Sequence, residues 1–179
     1  MRWLDRIRPS KLITCESCGT AHRLEEMHIT FGHPDAYLSL TDQQRERWEE
    51  DTDFARLDLE RFFFRALIEI PVRRKKTAFG YGVWIEVDEQ TFARYGDIFR
   101  TEGQARERPM AGALANRIPA YQPTTLGLAV DVQMRPAGLR PLAAIREPGH
   151  QLAIDQTRGF TIDEILDLHH TLFPPNSGT

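Results

Sequence analysis

The stretch that decides the fold is Phe62-Phe63-Phe64-Arg65-Ala66-Leu67-Ile68-Glu69-Ile70, closed by Pro71. Its length and its aromatic and β-branched content predict a central strand. Arg65 and Glu69 are separated by an even step, so they share one face of that strand. Upstream, Phe54 to Leu59 alternates apolar and charged residues, and Leu59-Glu60-Arg61 reads as a hairpin connection. Downstream, Arg73-Arg74-Lys75-Lys76 is a basic loop, followed by a second strand, Phe79-Gly80-Tyr81-Gly82-Val83-Trp84-Ile85-Glu86-Val87. Its glycines mark a bulge or a close approach.

Farther out, Met27 to Phe31 predicts a short strand broken at Gly32-His33-Pro34. Thr41 is the N-cap of a helix expected to run to about Glu50. Asp88 caps a second helix, 89–99, with Phe92, Tyr95 and Phe99 on one face. Residues 100–124 read as loop, carrying Pro109, Gly112, Pro119 and Pro123. Two more strands follow, 125–134 and 139–145, joined by Arg135-Pro136-Ala137-Gly138. Thr161 and Glu164 form a capping box for a last helix, which Pro174-Pro175 stops. Hairpin-linked strands with helices set apart give an α+β class. The expectation is an antiparallel sheet of about five strands with two or three helices packed on it, plus an N-terminal zinc-knuckle-like turn.

In domain terms, residues 1–12 read as a basic arm, 13–173 as a single domain and 174–179 as a disordered tail. A chain of 179 residues fits one domain. Hydrophobic residues are 41% and charged residues 27%, which excludes a disordered chain. Mean hydropathy is -0.45, and no apolar run is long enough to span a bilayer. The arm Met1-Arg2-Trp3-Leu4-Asp5-Arg6-Ile7-Arg8 lacks the apolar core of a secretory signal, so the expected compartment is cytoplasmic. The net charge is -3, with no wide basic field, which argues against nucleic acid as a partner. That leaves a protein or a small molecule.

The 2 cysteines cannot build a disulfide framework. They sit as Cys15-Glu16-Ser17-Cys18-Gly19-Thr20-Ala21-His22. Such a turn lets two thiolates converge on one tetrahedral ion, with His22 close enough to add an imidazole. A structural zinc site is the leading reading. A reduced thiol pair without metal, a redox dithiol and a zinc with an open position are the alternatives. The deaminase signature is excluded, because Arg23-Leu24 follows His22 and no proline precedes Cys15. A fourth ligand must come from His28, His33, His150, His169, His170 or a carboxylate.

The chain resembles the bacterial proteins grouped as domain of unknown function 2199. The resemblance rests on Cys15-x-x-Cys18-Gly19-x-x-His22, Phe62 to Val72, Phe79 to Trp84 and Asn116-Arg117-Ile118-Pro119-Ala120-Tyr121. It continues through Gly138-Leu139-Arg140-Pro141 and His150-Gln151-Leu152-Ala153-Ile154-Asp155-Gln156. It departs at His33-Pro34-Asp35, where the family more often carries an acidic residue before Pro-Asp. The resemblance implies a small bacterial protein and no particular function. It also points to the fourth ligand, since the histidine of its H-x-L-A-x-x-Q motif falls on His150. The implied zinc set is Cys15, Cys18, His22 and His150.

Polar residues within these motifs, Arg65, Glu69, Asn116, Arg117, Tyr121, Arg140 and Gln156, are candidates for a ligand cleft; the competing reading is a network that ties loops to the sheet. The aromatic residues Phe62, Phe63, Phe64, Phe79 and Trp84 read as core. Two functions follow. One is a zinc-stabilised binding or interaction module. The other is a hydrolase-like enzyme using the polar cleft or an open zinc position.

Overall fold

A computed structural model describes residues 13–14, 21–23, 27–58 and 60–174. The basic arm, Cys15, Cys18 and the tail from 175 onward lie outside the described residues. In chain order the strands are β1 (Ile13–Thr14), β2 (Ala21–His22), β3 (Ile29–Thr30), β4 (Trp48–Glu50), β5 (Phe54–Leu57), β6 (Arg61–Pro71), β7 (Ala78–Val87), β8 (Met110–Leu114), β9 (Ala129–Gln133) and β10 (Leu142–Ile145). The helices are α1 (Asp35–Leu38), α2 (Asp42–Arg45), α3 (Glu89–Ile98), α4 (Gln151–Arg158) and α5 (Ile162–Leu172).

The apolar stretch around Phe63 is the organising strand. One edge of β6 pairs with β7 in antiparallel register from Phe62↔Val87 to Pro71↔Ala78. Its other edge is divided. The first half pairs with β5, and Leu67 pairs in parallel with Leu142 of β10. The far edge of β7 is divided too, between β3 in parallel and β8 in antiparallel register. β8, β9 and β10 then form a meander that returns to β6.

The circuit β6–β7–β8–β9–β10–β6 is a closed five-stranded barrel, with β5–β4 and β3 attached outside it. This corrects the expected antiparallel sheet with two or three helices packed on it. Alternating residues say which way each side chain points. They do not say that two distant strand edges meet. The closing contact is a single parallel rung, which leaves no hairpin signal in the sequence. Close packing where β8 meets β7 also needs Gly112, since a Cβ there would stand 2.5 Å from Ile85 Cγ2.

Local signals held where capping chemistry was strong. Asp88 caps α3, and Thr161 with Glu164 completes a capping box on α5. The expected helix to Glu50 fails after Arg45. Trp48 instead pairs with Leu57 in β4 and packs its ring 5.5 Å from Phe63. Burial of an indole against the sheet outweighs the weak helix preference of Arg, Glu and Gln. Residues 100–124, expected as loop, contain β8, whose Ala and Gly residues carry little strand propensity.

The core follows the two faces of β6. Phe62, Phe64, Ala66, Ile68 and Ile70 point inward with Phe79, Tyr81, Val83, Ile85 and Val87 from β7. Leu114, Val130, Val132 and Ala143 complete the barrel interior. α3 closes the end near Phe54 and Phe64 through Tyr95, and Phe160 with α5 closes the end near Phe79. On the outer face, Phe63 and Trp84 are fully buried under Phe31, Ala36 and Trp48.

Candidate functional site

The outer face of β6 presents Phe63, Arg65, Leu67 and Glu69 in alternation. Arg65 lays its guanidinium 4.7 Å from the centre of the Trp84 ring and donates through Nη2 to the Gly32 carbonyl at 2.7 Å. Trp84 Nε1 donates to that same carbonyl at 3.3 Å. Asn116, fully buried, accepts from the Trp84 main-chain N–H at 2.8 Å. Its Nδ2 donates to the His33 carbonyl at 2.8 Å and to Asp35 Oδ1 at 3.2 Å. The Arg117 main-chain N–H donates to Asp35 Oδ2 at 3.0 Å. Side chains from β6, β7 and the turn after β8 thus converge on one short loop, 32–35.

The network continues in the other direction along β6. Asp53 accepts the Arg65 main-chain N–H through its carbonyl at 2.9 Å. Its carboxylate accepts Arg140 Nε at 2.7 Å. Arg135 Nε donates to the Arg140 carbonyl at 2.6 Å, and Arg135 Nη1 donates to Glu69 Oε1 at 3.2 Å. Five of the cleft candidates, Arg65, Glu69, Asn116, Arg117 and Arg140, therefore belong to one chain of hydrogen bonds across the outer face. Burial, and then the neighbouring charge of Arg140, hold the Arg65 guanidinium below its ordinary pKa, against the opposing pull of Glu50 and Asp53.

Tyr121 and Gln156 lie elsewhere. Tyr121 is buried and donates to Asp155 Oδ2 at 3.1 Å. Burial pushes its phenol well above the usual range, so it remains a donor. Asp155 also accepts from Gln151 Nε2 and Arg158 Nη2. Gln156 hydrogen-bonds the main chain of β10.

The histidines separate as well. His150 is the N-cap of α4 and is 5% exposed. Its Nδ1 accepts from the Leu152 N–H at 3.1 Å, and Nε2 donates to the Pro123 carbonyl at 3.0 Å. With both nitrogens engaged, ligation would first require breaking either the cap or the bond to the Pro123 carbonyl. His28 Nδ1 accepts from the Gly80 N–H at 2.8 Å. His33 Nδ1 lies 2.8 Å from Glu50 Oε2 and its ring stacks on Tyr37. His169 and His170 stand in the last turn of α5. Among the described residues, no group of three His, Cys, Asp or Glu is arranged to hold a metal ion. Cys15 and Cys18 lie outside the described residues, and His22 sits in β2.

The residues missing from the sequence reading are acceptors: Asp35, Asp53 and Asp155. Asp35 carries one signal, a proline before it and a helix after it. Asp53 reads as an ordinary loop carboxylate, and its partner Arg140 is remote in sequence.

A family model described as an uncharacterised protein conserved in bacteria, domain of unknown function 2199, matches residues 14–160. The chain belongs to this family. In this member of the family, the turn holding Asn116 and Arg117, the strand holding Arg65 and the loop holding Arg140 all meet on one face. Neither a curated protein nor a solved structure matches the chain. Among the described residues, no helix is long and apolar enough to cross a membrane.

Proposed function

We propose that the protein is a binding module whose N-terminal hairpin is held by a structural zinc ion. The observation that supports it is the β1–β2 ladder. Ile13 pairs with His22 and Thr14 with Ala21. Cys15 therefore follows directly on a paired residue, and His22 lies in the returning strand. Two cysteines and a histidine within eight residues suit zinc, which takes tetrahedral S and N donors. Cys15, Cys18 and His22 form this set, and the cap chemistry of His150 argues for a fourth donor other than that residue.

The polar network supports the binding half of the reading. Arg65, Asn116 and Arg140 hold loops rigidly against a closed barrel, and rigid loops on a scaffold are suited to recognition. The deciding experiment is metal analysis of protein purified without added metal. About one zinc per chain is expected, falling to near none in Cys15→Ser and Cys18→Ser, with a lower Tm. Metal-free protein whose Tm does not respond to added zinc would overturn the zinc assignment.

A further inference from the structure

An open groove of about 510 Å³ runs beside the outer network. Leu67, Phe99 and Leu139 supply its apolar lining, and Arg100, Arg140 and Asp53 its charges. Leu139 is 49% exposed in the β9–β10 turn and lies on the groove wall. Arg100 lies just past α3 in the left-handed region, at φ 66°, where a side chain other than glycine is strained. That backbone sets its guanidinium 4.9 Å from the centre of the Phe99 ring. Among the described residues Arg100 has no carboxylate partner.

The charges do not balance. Arg140 uses Nε on Asp53. Arg100 is uncompensated. Within the lining, one carboxylate, Asp53, thus faces two guanidinium groups, Arg100 and Arg140. An anion entering the groove meets a positive field over an apolar floor. Arginine and aromatic side chains around a desolvated apolar contact are the composition of protein-recognition hot spots.

We infer that this groove binds an extended segment of a partner protein in which an Asp or Glu adjoins a large apolar side chain. The carboxylate meets Arg100 and the free edge of Arg140, and the apolar side chain packs against Leu139 and Phe99. The inference gives the proposed binding module its partner chemistry, and rests on that reading. It does not depend on zinc, so the metal analysis and the peptide test fail independently.

The test is selection from a random heptapeptide library on the intact protein, followed by affinity measurement of the enriched peptides by fluorescence polarisation. Enriched sequences are expected to carry an acidic residue beside Leu, Ile or Phe. Their affinity should fall about fivefold or more when the acid is replaced by its amide, and likewise in Arg100→Gln and Leu139→Ser. Lys75→Gln, exposed in the basic loop and outside the groove, should leave it unchanged. Arg100→Gln alters an exposed side chain only, so a lost affinity there is not a folding defect. No enrichment, enrichment without acids, or affinity indifferent to Arg100→Gln would each overturn the proposal. Displacement by 4-methylpentanoate at the peptide's own affinity would overturn it in favour of a small-carboxylate site.

Discussion

The side-chain amide of Gln156 donates to the main-chain carbonyl of Ala143 at 2.9 Å. The same amide accepts from the Ile145 N–H at 2.9 Å. Both main-chain groups lie on β10 beyond the Leu142↔Leu67 rung, on the edge not paired with β9. Gln156 therefore acts in place of a strand where the ladder opens. Gln156→Leu should orphan both groups and cost about 2 kcal/mol in urea unfolding. Gln156→Glu should be worse at neutral pH, because a carboxylate cannot donate to Ala143, and should recover towards acid as it protonates.

Asn116 makes three hydrogen bonds from a fully buried position. Asn116→Ala should cost about 2–3 kcal/mol, since the Trp84 N–H and the His33 carbonyl lose their partner away from water. Arg117→Ala, one residue on and exposed, should change stability by less than about 0.5 kcal/mol. Equal effects would show that the loop at 32–35 is not held by Asn116.

The Glu164 carboxyl is held down at about 2, first by the Thr161 N–H; burial opposes this, and Arg158, the Thr161 hydroxyl and Arg73 lower it further. Its folded pKa lies below the unfolded one. The stabilisation is therefore present above the ordinary glutamate value and fades as pH falls from there towards 2. Glu164→Gln should keep much of the cap while flattening the pH dependence of Tm across that window. A variant that retains the wild-type slope would assign the dependence to another group.

Two glycines should respond in opposite directions to alanine. Gly159 has φ 75°, and a Cβ there would stand 2.6 Å from the Pro71 carbonyl oxygen. Gly159→Ala should cost about 2 kcal/mol or more. Gly96 is exposed within α3 with nothing near its Cβ position, so Gly96→Ala should stabilise by about 0.5–1 kcal/mol. Thermal unfolding of the two variants reads both.

His150→Ala removes the α4 cap and should lower stability by about 1–2 kcal/mol. Zinc content should stay at the wild-type level. Loss of zinc in this variant, alongside Cys15→Ser, would restore His150 to the ligand set.

The legible parts of this fold are those written in neighbouring residues. Thr161 and Glu164 announce α5, Asp88 announces α3, and alternation along β6 separates Phe64 from Arg65. Closure is different, because Leu67 and Leu142 carry no mark of each other. Trp48 shows the same limit, since its strand depends on Phe63 and not on the residues beside it. For the candidate site, the cations, the amides and Glu69 were readable within motifs, but Asp35 and Asp53, which organise them, were not. The partnership of Arg140 with Asp53 exists only after the barrel has brought two loops together.

The single rung between β6 and β10 also sets an order in time. During synthesis β6 and β7 emerge early, with a long hairpin register available to them at once. The partner for Leu67 emerges only after β7, β8 and β9, followed by Gln156. The barrel wall therefore stays open until β10 has been made, with Ile68 and Ile70 beside the gap. Such distant pairings slow folding and leave apolar surface open meanwhile. The latest-made segment of the barrel is its latch.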